Sequence, residues 1–302
     1  PYSWAPSGGT AATATGLAAG SYTCTINDAN GCVHTETFNI IEPATLSGFT
    51  ALTKNYGDAD FALNAPTTNS TGAFTYASSD ATTASVTGNM VTILKPGVVT
   101  ITASQAADAN HLAASTTATL TIGRKDITVS LNATPVITKQ YDGNAQASLV
   151  AANYQLNGIV GSDDVTVTGT AQYDNKNAGA GKTITVNGFV LSGLQNAYYT
   201  LTTTSATTVG EITAKPIMAT AGAISKVYDG TNAATINFNS FTAANGLVVG
   251  DDVQVQYTSA TYNTKDVGVA KPITINGLTL SGGDQSNYSL NAFTTTGDIV
   301  TK

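Results

Sequence analysis

The chain has 302 residues, with 19 acidic against 12 basic side chains, a net charge of −7 and only 10% charged residues, where soluble domains average about 25%. So low a charge density argues against long helices and coiled coils. With no Lys/Arg cluster there is no phosphate-tracking surface, which argues against nucleic acid as a partner. No run approaches the roughly 18 apolar residues of a membrane helix, no basic-then-apolar leader is read in it, and with Pro1 in first position the sequence is expected to be an excerpt of something longer.

In chain order, residues 1–42 are predicted to form a short, truncated β module. It ends in a hairpin turning at Asn27-Asp-Ala-Asn-Gly31, a strand to Ile41 and a break at Glu42-Pro43. Residues 43–123 make a fuller module carrying Lys54-Asn-Tyr-Gly-Asp58, Phe74-Thr-Tyr76 and Lys95-Pro-Gly97, with the strand Ala118-Thr-Leu-Thr-Ile122 near its end. Two further modules, 124–213 and 214–302, repeat one another. Period-2 runs such as Val165-Thr-Val-Thr168, Lys182-Thr-Ile-Thr-Val186 and Pro272-Ile-Thr-Ile275 predict strands with one buried face, Thr outward and Val or Ile inward. Turn signals at Asp142-Gly143, Asn187-Gly188, Asp229-Gly230 and Asn276-Gly277 give the rhythm of antiparallel sandwiches.

The repeat is defined by landmarks in a fixed order. Lys139-Gln-Tyr-Asp-Gly143 answers Lys226-Val-Tyr-Asp-Gly230, and Gly161-Ser-Asp-Asp-Val165 answers Gly250-Asp-Asp-Val253. Tyr173 with Lys176 answers Tyr262 with Lys265. Leu191-Ser-Gly193 answers Leu280-Ser-Gly282, and Gly210-Glu-Ile212 answers Gly297-Asp-Ile299. A period near 90 residues means a tandem array. Small insertions are expected in loops, and the absence of Gly/Ser or Pro-rich spacers predicts self-contained modules that abut in a stiff rod.

On these residues the last two modules resemble the YDG-type repeat of large secreted bacterial surface proteins, through Lys-x-Tyr-Asp-Gly, the Gly-Asp-Asp-Val loop and the ending Asn287-Tyr-Ser-Leu290. Asn196-Ala-Tyr-Tyr-Thr-Leu201 reads as the same ending with an insertion. Residues 43–123 are similar to bacterial Ig-like and MBG-type modules, through Tyr56-Gly-Asp58, Ser78-Ser-Asp80 and Ala106-Ala-Asp-Ala-Asn110. Residues 2–43 resemble the SprB-type repeat of Bacteroidetes gliding adhesins, through Tyr2-Ser-Trp4, Ala19-Gly-Ser-Tyr22 and Asp28-Ala-Asn-Gly-Cys32. The resemblance implies export, commonly by the type IX system in that phylum, followed by surface display and adhesion. The fold expected is all-β: tandem immunoglobulin-like sandwiches, with a β-grasp-like variant as the alternative for the YDG-type repeats.

Candidate chemistry is sparse. Cys24 and Cys32 flank the turn of one hairpin, and a disulfide between them is the favoured reading in an oxidising exterior. Pairing with a cysteine outside this sequence, or free thiols, are the alternatives, and His34 adds too few ligands for zinc. In Lys139-x-Tyr141-Asp142-Gly143 and Lys226-x-Tyr228-Asp229-Gly230, the Lys stem is expected along the Tyr ring while Asp and Gly make the turn. The sharper alternative is an isopeptide bond from a matched lysine, Lys139, Lys176 or Lys182 against Lys226, Lys265 or Lys271, to Asn or Asp. Asp163, Asp164, Asp251 and Asp252, with Asp28, Asp58 and Asp60, are weak calcium candidates, lacking the spaced Asp-x-Asp-x-Asp-Gly loop. No other cofactor is implied.

Gly179-Ala-Gly-Lys-Thr183 mimics the end of a phosphate-binding loop, but a strand follows and the sister repeat loses the pattern. His34 and His111 read as ordinary surface residues, and no nucleophile set occurs. A non-catalytic adhesin stalk is therefore expected, touching neighbouring modules of the same chain and external surfaces or polysaccharides, with self-association into filaments open. The alternative is a carbohydrate-binding module stacking sugars on exposed Tyr198, Tyr199, Tyr257 and Tyr262. A third reading, ice binding by outward Thr, needs a flat array that twisted strands oppose.

Overall fold

A computed structural model describes residues 1–302, and it is all-β: thirty strands and four single-turn 3-10 helices, with no α-helix. No helix is long and apolar enough to cross a membrane. The chain forms two compact units. The first is Pro1–Asp126 with Val160–Asp163 and Leu194–Thr200, and the second is Ile127–Ile159, Asp164–Gly193 and Leu201–Lys302.

In the first unit, Tyr2–Ala5, Gly20–Asn27 and Val33–Ile40 make an antiparallel sheet with Gly20–Asn27 central. Tyr22 and Cys24 are buried, and the rings of Trp4 and Phe38 lie 5.7 Å apart. Asp28 shapes the hairpin turn, its Oδ1 accepting the N–H groups of Asn30 and Cys32 at 2.8 Å each. Glu42–Pro43 is a bridge rather than a break, because it pairs in parallel with His111–Leu112. Residues 43–123 form a four-stranded sheet ordered Leu52–Asn55, Ala114–Gly123, Gly97–Gln105, Phe74–Ser78, together with a smaller sheet of Ala84–Thr87, Met90–Ile93 and Phe61–Ala62. Their core is Leu63, Ala84, Val91, Val99, Ile101, Leu120 and Ile122, each large aliphatic side chain contributing roughly 1.5–3 kcal/mol. Alternation in Gly97–Gln105 turns Val99, Ile101 and Ala103 inward and Val98 and Thr100 outward, as the period-2 pattern predicts.

In the second unit the two repeats share one strand order. In the first repeat it is Thr138–Gln140, Ser205–Thr213, Gly179–Ser192, Thr166–Tyr173, with Gln146–Ala147 added as a fifth strand, and in the second Ser225–Val227, Thr295–Val300, Gly268–Asn276, Ser259–Tyr262. The leading pair is parallel in both, as is Leu52–Asn55 with Ala114–Gly123, so each sheet departs from the expected antiparallel rhythm at one edge. Gly210 and Gly297 are required there. A Cβ on Gly210 would meet the carbonyl oxygen of Ile137 at 2.5 Å, and one on Gly297 that of Ile224 at 2.7 Å. Tyr173 and Tyr262 anchor the same edge, donating their hydroxyls to the carbonyls of Glu211 at 3.1 Å and Asp298 at 3.2 Å.

The repeats are not self-contained. One core joins Ile137, Tyr141, Tyr173, Ile184, Val186 and Ile212 of the first to Ile217, Phe241, Val253 and Tyr288 of the second. A second core holds Ile224, Ile236, Ala260, Tyr262, Ile273 and Ile299. The second repeat thus divides its apolar residues, giving one set to its predecessor and keeping one. Nor does every insertion fall in a loop. Where the first repeat has a bulge at Gly169 within one strand, the second has Tyr257-Thr258 and breaks into Gln254–Gln256 and Ser259–Tyr262.

Candidate interaction site at the module joints

Three tyrosines occupy equivalent places. Each follows its parallel edge strand, and the N–H groups of Tyr56, Tyr141 and Tyr228 donate to the carbonyls of Gly123, Thr213 and Val300, all at 2.9 Å. The side chain therefore leaves the strand end pointing onward, where the next segment arrives. Around Tyr141, that segment is the acidic loop of the second repeat: Tyr141 donates its hydroxyl to Asp251 Oδ2 at 2.8 Å, and Tyr288 donates to the same oxygen at 2.7 Å. The Tyr288 hydroxyl also accepts the Val248 N–H at 2.8 Å. The Tyr141 and Tyr288 rings meet edge to face at 5.5 Å.

The first unit holds the same constellation. Tyr56 donates to Asp163 Oδ2 at 2.8 Å, Tyr199 donates to that oxygen, and the Val160 N–H donates to the Tyr199 hydroxyl at 2.9 Å. Glycine makes room in both. Gly57 and Gly143 each have φ +83°, and a Cβ on them would strike Val160 and Val248 respectively at 2.7 Å. These are the glycines of Tyr56-Gly-Asp58 and Tyr141-Asp-Gly143, so the motif serves both the turn and the close approach.

Electrostatics follow from burial. The Asp251 side chain is only 4% accessible. Desolvation pushes its carboxyl up, but the hydroxyls of Tyr288 and Tyr141 and the nearby Lys176 ammonium outweigh that and hold it below the usual range. Lys176 Nζ stands 3.5 Å from Asp251 Oδ1 and 5.9 Å from the Tyr141 ring centroid. Desolvation, and then the carboxylate, push the Tyr199 phenol up to about 12, and move Tyr56 and Tyr141 up as well. Desolvation is also the largest cause of the rise at Tyr288, reinforced by Asp251.

The Lys-x-Tyr-Asp-Gly lysines act locally. Lys139 Nζ donates to Asp142 Oδ1, Asn144 O and Asn144 Oδ1 at 2.8 Å each, and Lys226 to Asp229 Oδ1 at 2.8 Å and Thr231 O at 2.9 Å. The expected Lys stem on its own Tyr ring is corrected: the ammonium staples the turn, and it is Lys176 that faces Tyr141 and Lys226 that faces Tyr262, at 6.0 Å. Gly143 and Gly230 supply the left-handed residue of each turn, φ +83° and +79°.

The remaining candidates are distributed as follows. Asp163 and Asp251 are turned to tyrosines rather than to other carboxylates. Asp252 tethers the later turn at Gly282-Gly283, its Oδ2 accepting the Gly283 N–H at 3.2 Å, while the Asp164 carbonyl lies against Gly193. No group of three or more His, Cys, Asp or Glu side chains is gathered as a metal site. Cys24 and Cys32 are free thiols. Cys24 lies opposite Glu36, whereas the Cys32 carbonyl accepts the Asp28 N–H. Four strand residues, roughly 13 Å, therefore separate them, against a ceiling of about 7 Å for a disulfide.

Lys182 comes nearest to isopeptide geometry, with Asn175 Oδ1 at 2.6 Å and Asp174 Oδ1 at 2.9 Å. Asp174 is 46% accessible, and its hydrogen bond from Lys182 holds its carboxyl down, which leaves a solvated ion pair in place of a protonated acid. The sister repeat has Asn263 and Thr264 there. His111 is no free surface residue, since its Nδ1 stands 3.1 Å from Asp108 Oδ1. The N–H groups of Thr71 and Asn110 hold the Asp108 carboxyl far below its ordinary value. The sugar-stacking platform does not form, because Tyr199 and Tyr262 are each 2% exposed and the Tyr257 hydroxyl accepts the Ile236 N–H at 2.9 Å.

The YDG domain family matches twice, over residues 123–207 and 213–296, more than half of the chain. The chain belongs to the YDG domain family. No curated protein matches it. Among solved structures it is similar to Drosophila N-cadherin EC1-4, at 9% identity and TM-score 0.22 over 87% of this chain and 74% of that one. It is also similar to domains 4-9 of surface layer protein SbsC, at 14% identity and TM-score 0.17 over 95% of this chain and 43% of that one.

The two YDG domains align through the joint without an insertion. Tyr199 and Tyr288 both follow a single 3-10 turn, Asn196–Tyr198 and Gln285–Asn287, so the inserted residue inferred from Asn196-Ala-Tyr-Tyr is instead a substitution, Tyr198 standing where Asn287 stands. Asn287, 1% exposed, reaches back to accept the Ala178 N–H at 2.8 Å. Tyr198 sets its ring 5.1 Å from that of Tyr56. Sequence reasoning assigned Tyr141 to a local turn and missed its distant partner. The usable signal was that Tyr and the first Asp of the acidic loop recur together in both repeats, although a turn needs neither.

Proposed function

We propose that the chain is a non-catalytic segment of a long secreted cell-surface adhesin or filament, exported by a type IX route. It would act as a stiff multidomain stalk giving reach and multivalent adhesion to external surfaces or polysaccharides, including in gliding. The observation that carries this reading is the core shared between the two YDG domains, closed by the Tyr141–Asp251–Tyr288 joint. A linker-free seam resists bending, and a stiff array turns many weak contacts into strong attachment, because each further contact is intramolecular. The chemistry outside the joints supports the same reading, being mostly turn-forming Asp and outward Thr. Small-angle scattering tests the mechanical part. A stalk of serial modules each roughly 30–35 Å long gives a maximum dimension above about 100 Å, whereas a radius of gyration near 19 Å, that of a compact globule of this length, contradicts it.

A further inference from the structure

The third tyrosine of the series has its setting but no partner loop. Tyr228 follows Ser225–Val227, with Lys226 stapling its turn as Lys139 does. Tyr56 and Tyr141 are 7% and 1% exposed, but Tyr228 is 38% exposed. A Cβ on Gly57 or Gly143 would collide with the arriving valine, whereas one on Gly230 meets nothing within 4 Å. Lys265 stands where Lys176 stands and is exposed. Val267 occupies the place of Ala178, whose N–H Asn287 takes, and is 49% exposed.

We propose that Tyr228, Gly230, Lys265 and Val267 form a preformed socket for the acidic loop and Asn-Tyr turn of a further YDG domain. Tyr228 supplies a hydroxyl and Lys265 an ammonium for a carboxylate in the position of Asp251, as Tyr141 and Lys176 do for Asp251 itself. Gly230 leaves room for the valine three residues before that acid. A second copy of this chain is not the occupant, because both of its acidic loops are taken, Asp163 by Tyr56 and Tyr199, and Asp251 by Tyr141 and Tyr288. The inference rests on the joint geometry and not on the adhesive reading, which could fail while the socket holds.

Lys302 corresponds to Lys215, so extending the full chain after Lys302 with a second copy of residues 216–302 presents such a loop in register. Nitration by tetranitromethane, mapped by peptide mass spectrometry, reports the hydroxyl. The expected result is that Tyr228 reacts at least about tenfold more slowly in the extended chain, the factor that about 1.4 kcal/mol of docking produces. The added copy's own counterpart of Tyr228 should react as Tyr228 does in the 302-residue chain. Equal rates for Tyr228 in both chains overturn the proposal. So does protection that survives Asp251→Ala in the added copy alone, since the carboxylate would then not be what docks. An added copy left unfolded, its counterpart of Tyr288 nitrated, counts equally against a socket able to seat it.

Discussion

The joints at Asp163 and Asp251 share a tyrosine on each side, one carboxylate, one valine N–H and one glycine, and they differ in what surrounds that set. At Asp251, Lys176 stands beside the carboxylate and Asn287 reaches back for a backbone N–H. At Asp163 a second ring, Tyr198, packs on Tyr56 where Asn287 would be. One joint is completed with polar groups and the other with aromatic surface. The module before Asp163 carries Tyr56-Gly-Asp rather than Tyr-Asp-Gly, yet the joint forms, so what the joint demands is the tyrosine and a glycine able to take a valine against it.

The largest contrast should come from the tyrosines. Tyr141→Ala opens a cavity in the shared core and is expected to cost about 3–5 kcal/mol, while the same change at exposed Tyr228 stays within about 0.5 kcal/mol. Urea unfolding of the full chain with each variant measures both, and equal costs would break the distinction between an occupied joint and an open one. Next in size, Asp251→Ala and Asp163→Ala each leave two buried hydroxyls without their acceptor, at about 1.5–3 kcal/mol.

The pH dependence sharpens this. Tyr199 has a folded value raised to about 12, above an unfolded value of about 10. Its contribution is complete below pH 10 and is lost as pH rises toward 12, with Tyr56, Tyr141 and Tyr288 acting in the same sense. Asp251, held below its ordinary value, contributes above pH about 4 and loses that as acid protonates it. Thermal melts across pH 9 to 12 should fall steeply for the parent chain and less for Tyr199→Phe. The smallest effects are null ones. A chelator should leave the melting temperature unmoved, since Asp163 and Asp251 are spent on tyrosines, and thiol titration should count two free cysteines without reductant.

Strands, the 90-residue period and the turns at Asp142-Gly143 and Asp229-Gly230 were legible because alternation and turn chemistry are local. The joints were not, because Tyr141 and Asp251 lie 110 residues apart and nothing in the spacing of either pairs them. The free thiols of Cys24 and Cys32 were missed for a related reason: closeness in sequence says nothing of hairpin register, and register alone keeps them apart. Tyr199 and Tyr262 looked like surface rings because tyrosine is compatible with either environment, and only the acceptor at the buried end decides. Gly210 and Gly297 were visible as landmarks, but their cause, the neighbouring carbonyl, is a tertiary contact.

A double-mutant cycle between Tyr141→Phe and Asp251→Asn, measured by urea unfolding of the full chain, tests most directly whether neighbouring YDG domains are locked through these joints. Groups in one buried network should show a coupling of at least about 1 kcal/mol. Additivity to within about 0.3 kcal/mol would mean that the two domains stand side by side without the joint holding them.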